Sequence, residues 1–150
     1  MKVIYPGSFN PWTIGHQDIY ERALKLFGDV KIVVAKNPDK EEIDYDFIKW
    51  TLEPITDNVV IIGGLVAPEA DVIIRGVRSG DWEYEQNLSQ WNKILGSETI
   101  FLSPDPALSH ISSSAARMLH AHGRNIKEYI GNVETHKRWT NYRAWQTRNM

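Results

Sequence analysis

The chain has 150 residues, a formal net charge of −2 at pH 7, a hydrophobic content of 42% and no cysteine. This length suits a single domain with its own core, and the lack of cysteine excludes a disulfide framework, a thiolate catalyst and a cysteine-ligated zinc site. The near-neutral charge provides no general attraction to nucleic acid or acidic membranes, so any anion site must be local.

In the first half of the chain, short apolar runs alternate with segments of helical spacing. Residues 2–5, 30–35 and 59–62 are predicted strands, and the apolar composition of 30–35 is typical of a buried parallel strand. Residues 13–27 predict a helix that ends at Gly28. Its predicted apolar face comprises Ile19, Ala23, Leu24 and Phe27. A shorter helix is predicted before Pro54, around Tyr45, Ile48, Trp50 and Leu52.

The second half continues the alternation. Residues 72–74 and 99–102 predict two further strands, with a helix over 82–95 between them. The apolar face of that helix is predicted from its i, i+4, i+7 and i+11 positions, which are Tyr84, Leu88, Trp91 and Leu95. Another helix follows Ile111, with Ala115, Met118 and Leu119 on one side. The pattern predicts one α/β domain over residues 1–150, a three-layer Rossmann-like fold with a five-stranded parallel sheet.

Two regions stand apart from this pattern. Only about nine residues, 63–71, connect the third and fourth strands, although a parallel crossover normally needs about a dozen and a helix. The tail, residues 133–150, interleaves basic residues with Trp139, Tyr142 and Trp145. Such a tail can stack on nucleic acid, but in a chain that is not basic we favour a C-terminal helix whose aromatic residues pack on the domain or another subunit.

Residues 5–16, the signature loop, join the first strand to the first helix and read Tyr-Pro-Gly-Ser-Phe-Asn-Pro-Trp-Thr-Ile-Gly-His. Gly7 allows a tight turn and a close approach to a ligand, while Pro6 and Pro11 stiffen the loop. The loop therefore presents Ser8 and His16 at the carboxyl end of a strand and the start of a helix, where phosphate groups are commonly bound.

Two later segments have the same chemical character. The arginine segment, residues 75–78, places Arg75 and Arg78 around Gly76 just past the end of the fourth strand, where fixed positive charge can meet a phosphate. The serine segment, residues 108–114, ends in three serines at a helix start. One serine suffices to cap a helix, so the additional hydroxyl and backbone N–H groups predict a phosphate cradle.

Together these segments resemble the nucleotidylyltransferase superfamily, and most of all the phosphopantetheine adenylyltransferase family. The signature loop resembles Y-P-G-T/S-F-D-P-x-T-x-G-H, with Asn10 at the usual aspartate. The arginine segment and the following Asp81-Trp82-Glu83-Tyr84-Glu85 resemble R-G-x-R…D-F/W-E-Y-E, and the serine segment contains the family's I-S-S-S. The resemblance spans most of residues 2–129 in the family's order.

The resemblance implies transfer of AMP from ATP to 4′-phosphopantetheine, giving dephospho-CoA and pyrophosphate in coenzyme A biosynthesis. It implies catalytic roles for Ser8, His16, Lys40 and Arg75. It implies nucleotide binding by Ser8, Phe9, His16, Gly76, Val77, Arg78, Glu85, Leu108, Ser109, His110, Ile111, Ser112, Ser113 and Ser114. For Lys40, an ordinary solvated lysine in a charged loop is an equal alternative.

Partners and location follow from the same reasoning. Magnesium is expected to arrive with ATP, held by phosphate oxygens and water, and no site of protein ligands alone is expected. The resemblance implies a homo-oligomer, commonly a hexamer. A chain with no 18-residue apolar run and no apolar leader predicts a cytoplasmic protein without membrane or nucleic-acid partners.

Two other functions remain open from the sequence. One is an adenylyl- or cytidylyltransferase with another phosphate acceptor such as nicotinamide mononucleotide. The segment I-S-S-S-A-A-R, which ends at Arg117, also resembles nicotinamide-nucleotide adenylyltransferases, and the short 63–71 connection leaves the acceptor side less defined. The other is a nucleotide-binding module without catalysis, against which the intact Ser8, His16 and Arg75 argue.

Overall fold

The computed structural model describes residues 1–36, 43–66, 68, 70–78 and 80–149. The strands are β1 (Val3–Gly7), β2 (Lys31–Lys36), β3 (Val59–Gly63), β4 (Val72–Gly76) and β5 (Glu98–Leu102). The helices are α1 (Ile14–Phe27), α2 (Tyr45–Leu52), α3 (Trp82–Ile94), α4 (Ser113–Ala121), α5 (Lys127–Ile130), α6 (Val133–Trp139) and α7 (Tyr142–Arg148).

The strands form one parallel sheet in the order β3-β2-β1-β4-β5, which confirms the predicted α/β fold. Tyr5 is in register with Ile32, and Ile73 with Thr99. Because the chain order reverses beside β1, the carboxyl ends of β1 and β4 flank the crevice in which such sheets bind ligands. Arg75 and Gly76 are the last two residues of β4, whereas the sequence predicted them just past the end of the strand.

Side-chain alternation along the strands divides the core into two faces. Tyr5, Ile32 and Ile74 belong to the larger cluster, which also includes residues of α1 and α2. Ile4 and Ile73 point to the opposite face. There α3 covers β5, since Trp82 stacks edge-on against Phe101 at 5.0 Å and Asn92 Nδ2 donates to Thr99 Oγ1 at 3.3 Å. The domain therefore has the predicted three layers.

The connection from β3 to β4 is long enough without a full helical crossover. It must cross three inter-strand spacings of ~4.8 Å and return by the length of a strand, about 16 Å. The straight-line distance from the end of β3 to the start of β4 is then roughly 21 Å. Eight extended residues span up to about 27 Å. The connection packs Val66 and Ala70 onto the second face of the sheet, against Ile4, Val33 and Ile73. Its shortness is thus compatible with a parallel sheet.

The predicted apolar face of α3 is wrong. Tyr84 and Trp91 are 68% and 65% exposed, whereas the buried residues of α3 are Glu85 and Asn92. Spacing identifies an apolar stripe along a helix, but it does not show which stripe meets the sheet. Here ionic and polar contacts bury the stripe that contains Glu85 and Asn92. In α4, Ala116 is buried and Leu119 packs beside it, whereas Met118 is exposed.

The tail forms two short helices, α6 and α7, instead of the single predicted helix, and it packs on the domain as we favoured. Tyr142 and Trp145 contact the ring of Phe47 at 4.7 and 6.1 Å. The Arg138 guanidinium lies 4.8 Å from the Trp50 ring. Within the described part of the chain, no helix combines the length and apolar character that crossing a bilayer requires.

Candidate active site

A cavity of about 770 Å³ lies at the carboxyl ends of β1 and β4. All three predicted phosphate-binding segments contribute to its wall, although they are distant in the chain. The predicted residues that line it are Ser8, Phe9, His16, Arg75, Gly76, Arg78, Leu108, Ser109 and Ile111. The fold therefore brings the signature loop, the arginine segment and the start of the serine segment to one place.

Some predicted residues lie outside this wall. They are Val77, Glu85, His110, Ser112, Ser113 and Ser114. Lys40 falls outside the described residues. The sequence analysis also missed lining residues, including Thr13, Ala35, Tyr84, Leu88 and Pro104. Helical spacing assigned Tyr84 and Leu88 to the core. The one signal for the cavity was their place near Glu85 in the chain, because Glu85 belongs to the family motif.

His16 is fixed by a capping box at the start of α1. Thr13 is the N-cap, its hydroxyl accepts from the His16 backbone N–H, and the Thr13 backbone N–H donates to His16 Nδ1 at 2.9 Å. Glutamate or glutamine usually holds this third helical position. Because Nδ1 accepts a hydrogen bond, the neutral ring carries its proton on Nε2. His16 therefore presents an N–H donor to the cavity.

Aromatic rings surround His16 and help to bury it, which affects its pKa. Phe9, Trp12 and Tyr5 lie 5.0, 5.5 and 6.4 Å from the imidazole, centroid to centroid. Burial, with the positive charges of Arg78 and then Arg75, lowers the pKa of His16 to about 3. The imidazole is therefore neutral at physiological pH, and it can donate a hydrogen bond to a phosphate without acting as a general acid.

The backbone at Gly7 and Phe9 forms this aromatic wall. Phe9 has a φ of 48°, in the left-handed region, which costs a non-glycine residue on the order of 1 kcal/mol. A Cβ on Gly7 would lie 2.7 Å from Phe9 Cε1. Gly7 thus makes room for the Phe9 ring. It also lines the cavity, and the close approach of its backbone to a ligand stays a prediction.

Arg75 is paired with Glu85 across two elements. Arg75 Nη2 donates to Glu85 Oε1 at 2.7 Å and Nε donates to Oε2 at 3.0 Å. Glu85 is only 6% exposed. Burial opposes the charge of Arg75, but the hydrogen bonds and charge of Glu85 outweigh it and raise the Arg75 pKa. Glu85 therefore orients Arg75. Its Nη1 donates one N–H to the Pro6 carbonyl at 3.4 Å and has a second N–H that can donate to a phosphate.

The serine hydroxyls bind the protein itself. Ser112 Oγ accepts from the Ala115 N–H at 3.0 Å as the cap of α4. Ser113 Oγ donates to the Pro11 carbonyl at 2.7 Å, and Ser114 Oγ accepts from Arg117 Nη2 at 3.2 Å. These contacts hold α4 against the signature loop. A hydroxyl can both donate and accept, so each serine retains hydrogen-bonding capacity for a ligand.

The cavity is suited to an anion. Arg75 and Arg78 are its charged side chains, and among the described residues no carboxylate lines it. In those residues, no three histidine, aspartate or glutamate side chains converge as they would around a metal ion. The electrostatics thus favour phosphate groups over cations.

Comparisons with known proteins agree with this geometry. A family model described as cytidylyltransferase-like matches residues 4–49, which include the signature loop. Phosphopantetheine adenylyltransferase of Pasteurella multocida is 36% identical over 149 aligned positions, covering 89% of this chain and 94% of the relative. That of Cytophaga hutchinsonii is 40% identical over 142 positions, covering 85% and 94%.

Solved structures support the fold. The nicotinic acid mononucleotide adenylyltransferase of Plasmodium falciparum superposes with a TM-score of 0.56 at 16% identity, over 97% of this chain and 98% of that one. A bifunctional NMN adenylyltransferase/ADP ribose pyrophosphatase of Francisella tularensis gives 0.60 at 16% identity, over 96% and 50%. The identities and coverage of the sequence relatives place the chain in the phosphopantetheine adenylyltransferase family, and it is a nucleotidyltransferase.

Proposed function

We propose that this enzyme transfers AMP from ATP to 4′-phosphopantetheine and releases pyrophosphate. The observation that carries the proposal is the single cavity in which a neutral histidine donor, His16, meets two arginines, Arg75 and Arg78. Family membership supplies the acceptor, as the sequence relatives are named phosphopantetheine adenylyltransferases. The product is dephospho-CoA.

In the proposed reaction, a phosphate oxygen of the acceptor attacks the α-phosphorus of ATP. A new phosphorus–oxygen bond forms, the bond from the α-phosphorus to the bridging oxygen breaks, and pyrophosphate leaves with that electron pair. The acceptor phosphate is already ionised near neutral pH, so no residue has to remove a proton. The protein's task is to align two anions and to stabilise developing charge.

Residue roles follow from position and family resemblance. His16 Nε2–H donates to an α-phosphate oxygen, while Ser8 and Arg75 hold the acceptor phosphate. Glu85 acts through Arg75. The ATP side is formed by Gly76–Arg78 and residues 108–114, and Lys40 is proposed to contact the transferring phosphates. Magnesium is proposed to enter as the ATP complex, held by phosphate oxygens and water.

The test is pyrophosphate release from ATP with a panel of phosphate acceptors. We expect release with 4′-phosphopantetheine and little with nicotinamide mononucleotide, glycerol 3-phosphate or sugar phosphates. Release with one of the other acceptors alone would replace the proposed substrate. No release with any acceptor, despite ATP binding by calorimetry, would favour a non-catalytic nucleotide-binding module.

The protonation state of His16 has its own expected result. Between pH 5 and 8 we expect ¹⁵N NMR to show the neutral ring with its proton on Nε2, since the His16 pKa is about 3. A His16→Asn protein identifies the resonance by its disappearance. The unfolded chain binds this proton near pH 6.5, so His16 lowers stability as pH falls from about 6.5 toward 3. A cationic His16 at pH 6 would contradict the donor role.

We also propose that the exposed side of α3 contacts a second copy of the chain. Tyr84, Trp91 and Ile94 are large and exposed there, and such patches mark interfaces. Light scattering should report an oligomer that Trp91→Glu dissociates and that Leu26→Glu, on the exposed part of α1, does not. A monomeric wild-type protein would overturn this proposal. The hexameric state and the cytoplasmic location stay predictions.

A further inference from the structure

A hydrogen bond links the tail to the signature loop. Trp139 Nε1, in α6, donates to the side-chain oxygen Oδ1 of Asn10 at 2.9 Å, across 129 positions of the chain. The bond is partly buried, and the Trp139 ring also packs against the core clusters beneath it. Asn10 stands where the resembled family usually has aspartate, and both side chains offer an oxygen acceptor at this position.

The same part of the loop is held from a second side by α4. Arg117 Nη1 donates to the Asn10 carbonyl at 2.6 Å, and Ser113 Oγ donates to the Pro11 carbonyl at 2.7 Å. Two residues later, Thr13 begins the capping box that fixes His16. Two peptide units join Pro11 to Thr13, and Thr13 is hydrogen-bonded to His16. A shift of Asn10 and Pro11 would therefore also move the histidine that lines the cavity.

The tail is itself firmly attached, so that Trp139 can act as a fixed point. Arg138 Nη1 donates to the Trp50 carbonyl at 2.9 Å and to Glu53 Oε2 at 3.2 Å. His120 of α4 stacks edge-on against the Trp139 ring at 5.2 Å. Trp139 thus lies between α4, α2 and the signature loop, and it contacts the first and third of these directly.

We propose that Trp139 is a positioning residue for AMP transfer, which fixes the signature loop through Asn10 and thereby sets the place of His16. The inference rests on the proposed function for its kinetic consequences. It assigns a catalytic purpose to a tail that lies outside the three motifs. The indole N–H is the essential group, because it holds the Asn10 side chain, whereas Arg117 and Ser113 hold backbone carbonyls of the loop.

The experiment compares Trp139→Phe with Trp145→Phe. Both replacements keep an aromatic ring and remove one indole N–H that bonds a side-chain oxygen, since Trp145 Nε1 donates to Asp44 Oδ2 at 3.1 Å. We expect Trp139→Phe to lower kcat/KM about tenfold and to weaken ATP binding, while Trp145→Phe changes neither. Melting temperatures of both variants measure the purely structural loss. Equal kinetic effects in the two variants would overturn the proposal.

The Asn10 partner supplies the rescue test. Asn10→Asp keeps an acceptor for the indole and should retain activity, whereas Asn10→Ala should match Trp139→Phe. The double variant Trp139→Phe/Asn10→Ala should be no worse than either single variant, because all three lack the same bond. Additive losses would contradict the proposal. Calorimetric ATP binding decides the comparison even if the wild-type protein turns over no acceptor, so failure of the proposed reaction is distinguishable from failure of this inference.

Discussion

Replacing His16 with alanine is expected to lower turnover by about 10²–10³ while ATP still binds. The imidazole is the neutral donor that the capping box aims into the cavity, and its Nδ1 is already occupied by the Thr13 N–H at 2.9 Å. Removing the ring withdraws a preorganised donor from the position where charge develops on the α-phosphate. Steady-state pyrophosphate release and calorimetric ATP binding measure the two parts of this result.

Two amide variants separate the catalytic role of His16 from its structural one. In His16→Asn, the amide oxygen can replace Nδ1 as acceptor for Thr13, but no donor reaches the position of Nε2. In His16→Gln, the longer amide places an N–H close to that position. We therefore expect His16→Asn to be folded and as inactive as the alanine variant, and His16→Gln to regain part of the rate. Normal turnover in His16→Ala, or equal rates in the two amide variants, would contradict the proposed role.

Replacing Arg75 with alanine is expected to affect both substrate binding and stability. It removes the guanidinium that we place on the acceptor phosphate, so KM for the acceptor should rise more than KM for ATP. It also leaves the buried carboxylate of Glu85 without its two hydrogen bonds of 2.7 and 3.0 Å. Breaking a buried ion pair in this way costs about 3 kcal/mol, which denaturant unfolding can measure.

A second substitution at Glu85 distinguishes the two effects. Arg75→Ala/Glu85→Gln removes the unpaired charge, and we expect it to recover most of the lost stability but not the acceptor KM. Arg78→Ala is the matched control, since Arg78 lines the same cavity; it should raise KM for ATP instead. Equal changes in both KM values for Arg75→Ala would argue against its assigned position.

The predicted fold held because it depended on local signals that the sheet reinforces. Runs such as 30–35 are too apolar to remain outside a core, and Gly28 ends α1 where it was expected. The signature loop was placed for the same reason, since a strand followed at once by a helix leaves its connecting residues at the carboxyl edge of the sheet. Ser8, His16, Arg75 and Arg78 accordingly line one cavity.

The errors arose where a residue's partner is far away in the chain. Spacing along α3 marked Tyr84 and Trp91 as core, but the ion pair between Glu85 and Arg75 turns the neighbouring stripe of Glu85 and Asn92 to the sheet. The contact of the Ser113 hydroxyl with the Pro11 carbonyl at 2.7 Å was not predicted either, while its role as a phosphate ligand stays a prediction. Local periodicity cannot report such pairings, because it describes one element at a time.

The sequence by itself therefore determined the alternation of strands and helices, the family, and the three segments that meet at the cavity, because each depends on neighbouring residues. Only the tertiary structure decided which face of α3 meets the sheet and that His16 is neutral with its proton on Nε2. It also decided the orientation of Arg75 by Glu85 and the hydrogen bond from Trp139 to Asn10. Most of these features depend on burial or on contacts between distant residues, and the His16 tautomer depends on the geometry of a helix cap. Burial, distant contacts and cap geometry are set only when the chain has folded.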